Sequence, residues 1–328
     1  MKSKLSLIAL SLVALPTMAQ LSEHAGLSGG VSLSAGFAST TSNFNTDGDK
    51  TINDVNQTAS SDSGSLVLPL GNLAYTFGTN LDKQFYVGMA REDIAVGTLA
   101  LELGYKQQLA SGMVIDASFL PTIMSGETWS DPFLTGQERQ TTDETGNAFR
   151  LKFKNIMGSN FSLDTAYATR DIEDEQSGVS DTSLTTAERN ALQRDATSIY
   201  LKGDYRLPLT RTSFLQPSIT YIATDADGDA NSLDSIGGEL SYFHILNRHQ
   251  LALTAGYTNR SYDAENPIYS QTRDEDELSL FAAYEYQDIM GWKNWSLISL
   301  AGYSKTDANI DFYDEDQYLV SVGMSYQF

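Results

Sequence analysis

The stretch Tyr318-Leu-Val-Ser-Val-Gly-Met-Ser-Tyr-Gln-Phe328 closes the chain, and its side chains alternate between two kinds. Val320 and Tyr326 fall on one face of a strand, whereas Ser321 and Ser325 fall on the other. A strand with one apolar face and one polar face, ending on an aromatic residue, is typical of a transmembrane β-barrel. The sequence therefore predicts that the chain ends in a membrane-crossing strand.

Similar alternating segments recur throughout the chain, with roughly the 9 to 11 residues that a tilted strand needs to cross a bilayer. They centre on residues 31–37, 73–77, 85–89, 99–105, 113–119, 149–153, 161–167, 199–205, 219–221, 236–242, 251–257, 278–284, 295–297 and 318–328. The predicted fold class is all-β, a transmembrane antiparallel β-barrel of about 14 strands, with 12 or 16 as alternatives.

The connections between these segments alternate in length, which is a second sign of a barrel. Long polar loops are predicted over residues 41–65, 122–146, 170–195, 224–234, 259–276 and 304–316. Short periplasmic turns and long extracellular loops are the usual arrangement, whereas a soluble β-sandwich has no reason for such strict alternation. Within the third loop, Thr185 and Glu188 have the spacing of a capping box and predict a short helix.

The first residues have the pattern of a secretory signal peptide. Lys2 and Lys4 precede an apolar stretch over residues 5–15, and Ala19 lies where cleavage is expected. We expect a signal peptide over residues 1–19 and one barrel domain over residues 20–328. The sequence contains 0 cysteines, so it predicts neither a disulfide nor a lipid-anchored cysteine.

The charge of the chain limits its partners. It has 42 acidic and 21 basic residues, a net charge of -21, which argues against nucleic acid and favours cations. Most acidic residues lie in the predicted long loops, so the outer mouth is expected to be negative. The predicted partners are outer-membrane lipid and lipopolysaccharide, with divalent cations bridging loop carboxylates to lipopolysaccharide phosphates.

The two faces of the strands predict an aromatic girdle outside and a charged lumen inside. The girdle residues near the short-turn ends are Tyr75, Tyr105, Phe153, Tyr205, Tyr242, Tyr284 and Tyr326. The candidate lumen-lining residues are Glu102, Asp116, Arg150, Lys152, Asp164, Lys202, Asp204, Glu239 and Glu285. Such charges suit either a water-filled pore or a barrel filled by ion pairs, and both interpretations stay open.

The sequence gives little support for a catalytic site or a specific metal site. His24, His244 and His249 are the 3 histidines, and none falls at the predicted outer rim, where barrel enzymes need a base. We expect no catalytic residues and no cofactor. Residues 225–231 resemble the start of a calcium-binding loop, with carboxylates at Asp225, Asp227 and Asp229, but Ala230 replaces the expected glycine. Loose binding of divalent cations is the alternative to a specific calcium site.

Several longer stretches resemble a family of Gram-negative outer-membrane β-barrel proteins known as domain of unknown function 2860. They are Leu70-Gly-Asn-Leu-Ala-Tyr-Thr-Phe-Gly78, Leu120-Pro-Thr-Ile-Met-Ser-Gly-Glu-Thr-Trp129, Ser279-Leu-Phe-Ala-Ala-Tyr-Glu-Tyr286, Met290-Gly-Trp292 and Asn309-Ile-Asp-Phe-Tyr-Asp314. This resemblance covers the mature chain and implies a barrel in the cell outer membrane. It carries over no catalytic residue. Gly323, Tyr326 and Phe328 also resemble the signal that hands such proteins to the barrel-assembly machinery.

The combined patterns predict a porin-like passive channel for small solutes with a mild cation preference. The alternative is a closed structural or surface-interaction barrel that acts through its extracellular loops. An outer-membrane enzyme ranks third because no histidine base is available at the rim.

Overall fold

The computed structural model describes residues 21–98, 100–122 and 126–328, so the predicted signal peptide lies outside the described residues. Fourteen of its strands build one barrel, and two short strands, β6 and β10, are additions to the wall. The strands are β1 (Gly26–Thr41), β2 (Ser61–Phe77), β3 (Lys83–Met89), β4 (Leu101–Gln108), β5 (Val114–Pro121), β6 (Gly126–Trp129), β7 (Thr141–Lys154), β8 (Phe161–Ile172), β9 (Ala196–Tyr205), β10 (Leu207–Pro208), β11 (Ser213–Ala226), β12 (Leu233–Leu246), β13 (His249–Asn266), β14 (Gln271–Gln287), β15 (Trp295–Ala308) and β16 (Glu315–Gln327).

The last strand closes the barrel by pairing with the first. β16 runs antiparallel to β1 from Gly30↔Gln327 to Thr41↔Asp316. Every other barrel strand pairs antiparallel with the barrel strand that follows it in the chain. The predicted antiparallel barrel of 14 strands is therefore confirmed, and 12 and 16 strands are excluded.

The outer surface of the barrel is apolar along a continuous band, which we call the apolar belt. Its side chains point outward and are half exposed or more, as Val320 is with 57% of its surface accessible. Its members include Leu33, Val67, Phe149, Ile199, Ile219, Ile236, Tyr257, Leu278 and Val320. Aromatic pairs border the belt at the short-turn end, where the ring centroids of Phe85 and Tyr105 lie 5.1 Å apart and those of Trp295 and Tyr326 also 5.1 Å.

The loops at the opposite end pack together into one body, which we call the outer cap. Its apolar cluster comprises Ile52, Phe133, Leu184, Leu192, Ile310, Phe312 and Tyr313. Trp129 is fully buried beneath it, and its indole Nε1 donates to the Asn43 carbonyl at 3.0 Å. The Arg139 guanidinium donates to the same carbonyl at 2.8 Å, and burial lowers its pKa to about 10. The outer cap is thus a packed structure with its own core.

The predicted helix in the third loop is confirmed as α2 (Thr186–Asn190). The Thr185 backbone N–H donates to a Glu188 carboxylate oxygen at 2.7 Å, and the Glu188 backbone N–H donates to the Thr185 hydroxyl at 3.3 Å. These reciprocal bonds complete the capping box that the sequence indicates.

Two of the loops are much shorter than predicted, because their flanking strands extend further. Strand β13 ends at Asn266 and strand β14 begins at Gln271. The loop predicted over residues 259–276 is therefore reduced to residues 267–270. In the same way, residues 309–314 replace the loop predicted over 304–316. These strands rise beyond the apolar belt, and both of their faces become polar there. The apolar alternation that identifies a membrane strand is lost while the backbone pairing continues.

The helices of the described residues are all short, and none is long and apolar enough to span a membrane.

Candidate functional site

The connection between β3 and β4 turns into the barrel instead of away from it. We call its described residues 90–98 the lumenal segment; they include the one-turn helix α1 (Arg91–Ala95). Ala95 is 2% exposed because barrel strands surround it. The sequence analysis missed this feature. A signal was available, since Arg91 and Asp93 stand directly beside Ile94, Ala95 and Val96 in a connection without the polarity of the other long loops.

One side of the lumenal segment is held by apolar contacts to the barrel wall. Ala95 forms a buried cluster with Leu70, Ala283 and Leu300, and Ile94 packs against it. Gly97 has a φ of +93°, and a Cβ at this position would approach the Phe281 ring to 3.0 Å. A side chain there would be strained and crowded, so glycine lets the segment lie close to the wall.

An ion pair fastens the first residue of α1 to the same wall. The Arg91 Nη2 atom lies 2.9 Å from the Glu285 Oε2 atom. Glu285 is 1% exposed, so its charge depends on this pairing. The predicted lumen residue Glu285 therefore contacts the lumenal segment.

The other side of the lumenal segment is held by a charged network on β4, β7 and β8. Asp93 Oδ2 lies 2.8 Å from Arg150 Nη1 and 3.1 Å from Lys152 Nζ. Arg150 also contacts Glu102 at 2.5 Å and Asp164 at 2.6 Å. The Arg150 guanidinium thus joins three carboxylates, one of which belongs to the segment. Its planar fork suits this role because it donates in several directions at once.

The network continues below through a buried tyrosine. The Tyr86 hydroxyl lies 2.9 Å from Glu102 Oε2 and 2.7 Å from Asp116 Oδ1. Lys106 Nζ is 3.8 Å from Asp116 Oδ2 and 4.4 Å from the centre of the Tyr86 ring. Gly104 makes room for that ring, since a Cβ there would come within 2.5 Å of it. Glu102 and Asp116 are 1% and 2% exposed, and these contacts satisfy their charges.

The remaining candidates lie on neighbouring strands beyond the network. Lys202 Nζ is 3.1 Å from Glu239 Oε1, and Asp204 accepts a hydrogen bond from Gln216 Nε2 at 3.2 Å. With these placed, the nine predicted lumen-lining side chains all point to the inside of the barrel. Glu102, Asp116, Arg150, Lys152 and Asp164 form the charged network, and Lys202, Asp204, Glu239 and Glu285 lie outside it.

Three cavities follow one another inside the barrel. The upper cavity, about 580 Å³, lies beneath the outer cap and shares Arg260 and Glu277 with a middle cavity of about 300 Å³. The middle cavity shares Glu239 with a lower cavity of about 490 Å³, which Asp93 and Lys202 also line. The charged network therefore fills one part of the lumen, while space remains beside it.

The upper cavity contains a group of arginines and glutamates that the sequence analysis placed in a loop. The Arg273 guanidinium lies between the rings of Tyr262 and Tyr313, 3.7 Å and 3.8 Å from their centres. It contacts Glu275 at 3.5 Å, and Arg260 contacts Glu275 at 3.4 Å. Both signs of charge face this cavity. Their positions follow from the extension of β13 and β14 above the apolar belt.

Replacing Arg150 with glutamine is expected to destabilise the barrel. Glu102 and Asp164 would lose their main partner, and breaking a buried ion pair in this way costs about 3–5 kcal/mol. The change in stability is measured as the midpoint of urea unfolding in detergent, with heat-modifiable migration as the signal for folded protein. Lys305→Gln is the control because its ion pair with Asp307 is exposed to solvent and contributes little to stability. Equal midpoints for the two variants would contradict the role of Arg150.

The predicted calcium site is not formed. Asp225, Asp227 and Asp229 are exposed and alternate with the buried residues Ala226 and Ala230. Within the part of the chain that the structure describes, no three His, Cys, Asp or Glu side chains come together to hold a metal ion. Asp225 lies near the end of β11, Asp227 lies in the bend that follows, and Asp229 begins a 3-10 turn over Asp229–Asn231, so the three carboxylates do not converge on one point.

The histidines of the strands lie near the short turns. His249 Nδ1 is 2.7 Å from the Tyr284 hydroxyl, and His244 stacks on Tyr242 with ring centroids 6.3 Å apart. His24 precedes β1 and is exposed. These contacts place His244 and His249 at the end opposite the outer cap.

The C-terminal residues are built into the closing seam. Phe328 and Gly29 exchange both backbone hydrogen bonds, each 3.0 Å long. The Phe328 ring stacks on Tyr326 with centroids 6.3 Å apart. At Gly323, a Cβ would lie 2.2 Å from the Leu33 carbonyl oxygen, so this close approach of β16 to β1 requires glycine.

Comparison with solved structures finds distant similarity to outer-membrane proteins. The outer membrane channel DcaP of Acinetobacter baumannii shares 10% identity, covers 92% of this chain and 98% of its own, and has a TM-score of 0.43. OmpT, an outer membrane protein of Vibrio cholerae, shares 12% sequence identity; the match covers 94% of this chain and 99% of OmpT, with a TM-score of 0.43. An anion-selective porin from Comamonas acidovorans shares 9% sequence identity; the match covers 93% of this chain and 100% of the porin, with a TM-score of 0.41.

A search of curated proteins finds no match. The model of one protein family, by contrast, matches residues 26–327, which is nearly the whole described barrel. This chain belongs to that family, described as Protein of unknown function (DUF2860).

Proposed function

We propose that the protein is a passive channel for small polar solutes in the outer membrane. The observation that carries this proposal is the succession of three cavities along β7, β9, β11 and β12, which share lining residues and pass beside the lumenal segment. Charged and hydroxyl side chains line them, as in a pathway for hydrated solutes. No catalytic role is proposed for any residue.

The location in the outer membrane is supported by the surface of the barrel. The apolar belt is bordered by aromatic rings at the short-turn end and by carboxylates at the end of the outer cap. Tyrosine hydroxyls of the belt reach these carboxylates, as Tyr221 does with Asp234 at 2.6 Å and Tyr257 with Asp276 at 2.6 Å. Aromatic side chains favour membrane interfaces for this reason, since one end is apolar and the other polar.

Planar-bilayer recording of the refolded protein tests the channel. Discrete current steps in potassium chloride are expected, and vesicles carrying the protein should swell faster in small sugars than in large ones. Folding is checked by heat-modifiable migration. A folded protein that gives neither current steps nor sugar-dependent swelling would overturn the proposal.

A weak cation preference that fades with salt is the expected selectivity. The cavities carry both signs of charge, so the preference comes from the acidic outer loops, whose field extends about 10 Å at 0.1 M salt and about 3 Å at 1 M. Reversal potentials in potassium chloride gradients should indicate excess potassium permeability at low ionic strength and near-equal permeability at high ionic strength. An anion preference at low salt would contradict this prediction.

A closed barrel that acts through its loops is the second candidate function. The outer cap favours it, because the loops share one apolar core and Arg194 is buried in an ion pair with Glu175 at 2.6 Å. Such a cap can present a defined surface to lipopolysaccharide, with divalent cations between its carboxylates and the phosphates. Absence of ion current together with binding of lipopolysaccharide, abolished by removal of divalent cations, would favour this function over the channel.

A further inference from the structure

The barrel wall is low at β3 and β4. These strands have 7 and 8 residues, whereas β2 on one side has 17, and on the other side β5 and β6 both pair with β7, β6 as far as Trp129↔Thr141. Strand β2 pairs with β3 only from Phe77↔Lys83 to Asn72↔Gly88. Within the described residues, Ser61 to Gly71 of β2 pair with β1 alone. We call the opening above β3 and β4, between this part of β2 and the strands β5 and β6, the lateral window.

The lateral window lies at the height of the apolar belt. Val67 is on the part of β2 that pairs with β1 alone, points outward and is 63% exposed. Its partner across the pair is Ala35 of β1, between the outward residues Leu33 and Phe37. On the other side of the opening, β5 pairs Phe119 with Phe149 of β7, and Phe149 is also 63% exposed. The window therefore faces lipid hydrocarbon if the belt lies in the membrane.

The edge of β2 at the window is adapted to stay unpaired. The Gly71 carbonyl oxygen points towards Gly88 of β3, as its 2.3 Å approach to a Cβ built there indicates. Backbone groups in a strand alternate in direction, so those of Val67 and Pro69 point the same way, into the window. Pro69 has no N–H group, which removes one donor from this edge. Proline at an edge also hinders pairing with a strand of a second copy.

An apolar surface begins at the window and continues into the lumen. On the part of β2 that pairs with β1 alone, the inward side chains include Leu66, Leu68 and Leu70. Leu70 belongs to the buried cluster that holds the lumenal segment. Ile94 and Phe281 extend the same cluster. Apolar side chains inside a water-filled barrel lose hydrophobic stabilisation unless something apolar covers them. The cluster thus connects the lipid side of the wall with the charged network around Asp93.

We propose that the lateral window admits the aliphatic chain of an amphiphile between the lumen and the outer leaflet. The chain lies against Leu68, Leu70 and Ile94, while the polar group stays on the charged side of the lumenal segment near Arg150. This inference deepens the proposed function, since it adds amphiphiles with one aliphatic chain to the solutes of the channel. Access of a lipid chain to Leu68 does not itself require ion conduction, so the two claims can fail separately.

Lipid quenching at single introduced cysteines tests the window, because the chain contains no cysteine of its own. Leu68→Cys, Thr220→Cys and Val67→Cys are labelled with bimane in vesicles of phospholipid brominated on its acyl chains. Thr220 is the matched control, since it also points inward but lies in a wall where β11 is paired on both sides. Val67 marks direct contact with lipid.

Quenching at residue 68 is expected to be severalfold stronger than at residue 220 and to approach that at residue 67. Added dodecanoate should lower the quenching at 68 but not at 67, because it competes for the window. Quenching at 68 no stronger than at 220 would overturn the lateral window, whether the protein itself or a second copy closes it. Quenching at 68 that dodecanoate does not change would overturn the passage of amphiphiles. Ion current of the wild-type protein is recorded in parallel and reports on the channel alone.

Discussion

Deletion of residues 91–97 is expected to raise the single-channel conductance severalfold. The lumenal segment crosses the interior between Glu285 on one wall and Arg150 on the other, so its removal widens the cross-section available to ions. The same deletion exposes the apolar cluster around Leu70 and leaves Glu285 without its partner Arg91. The barrel should therefore also unfold at a lower urea concentration.

The measurement is planar-bilayer recording, with heat-modifiable migration as evidence of a folded barrel. The double variant Arg91→Gln and Asp93→Asn is the comparison, because it keeps the length of the segment but removes two of its ionic anchors. Its mean conductance is expected to stay closer to that of the wild type, with larger current fluctuations. A deletion variant that folds and conducts like the wild type would contradict the position assigned to the segment.

Deletion of Phe328 is expected to reduce the amount of assembled protein in the outer membrane by at least an order of magnitude. The residue makes both backbone hydrogen bonds with Gly29 at the seam where β16 meets β1. Its loss shortens that seam, and it also removes the terminal aromatic that resembles the signal for the barrel-assembly machinery. An unclosed edge is costly in lipid because its backbone groups lack partners.

Heat-modifiable migration of outer-membrane fractions measures this effect, and Phe328→Tyr is the matched control because it retains an aromatic terminus. Refolding of the deletion variant in detergent separates the two causes. A variant that refolds normally in detergent but does not assemble in cells has lost the signal. Normal assembly in cells would refute the prediction.

The number of strands and the direction of their side chains could be predicted because both depend on local sequence. Alternation with a period of two decides which side of the wall a residue faces, so the sequence alone places Glu102, Arg150 and Glu285 on the inner side. Their partners could not be predicted in the same way. Arg150 meets Glu102 and Asp93 through pairings across several strands, and these depend on the register of the whole barrel.

The lumenal segment and the lateral window escaped prediction for a related reason. Residues 85–89 are a weak alternating segment and residues 99–105 a clear one, and nothing local indicates that β3 and β4 end below their neighbours. The connection between β3 and β4 is also less polar than the acidic loops, so it was not counted as a long loop. Its inward direction depends on contacts with Leu70, Ala283 and Leu300, which are far away in sequence.

The central claim is that solutes pass along the cavities beside the lumenal segment, and thiol block of single channels tests it most directly. Thr220 lines the middle cavity, whereas the adjacent Tyr221 faces outward and is 42% exposed. Current through Thr220→Cys channels is expected to fall in discrete steps when a charged methanethiosulfonate reagent is added, and current through Tyr221→Cys channels should not change. Absence of current in the folded protein, or a thiol block that is the same at both positions, would contradict the account.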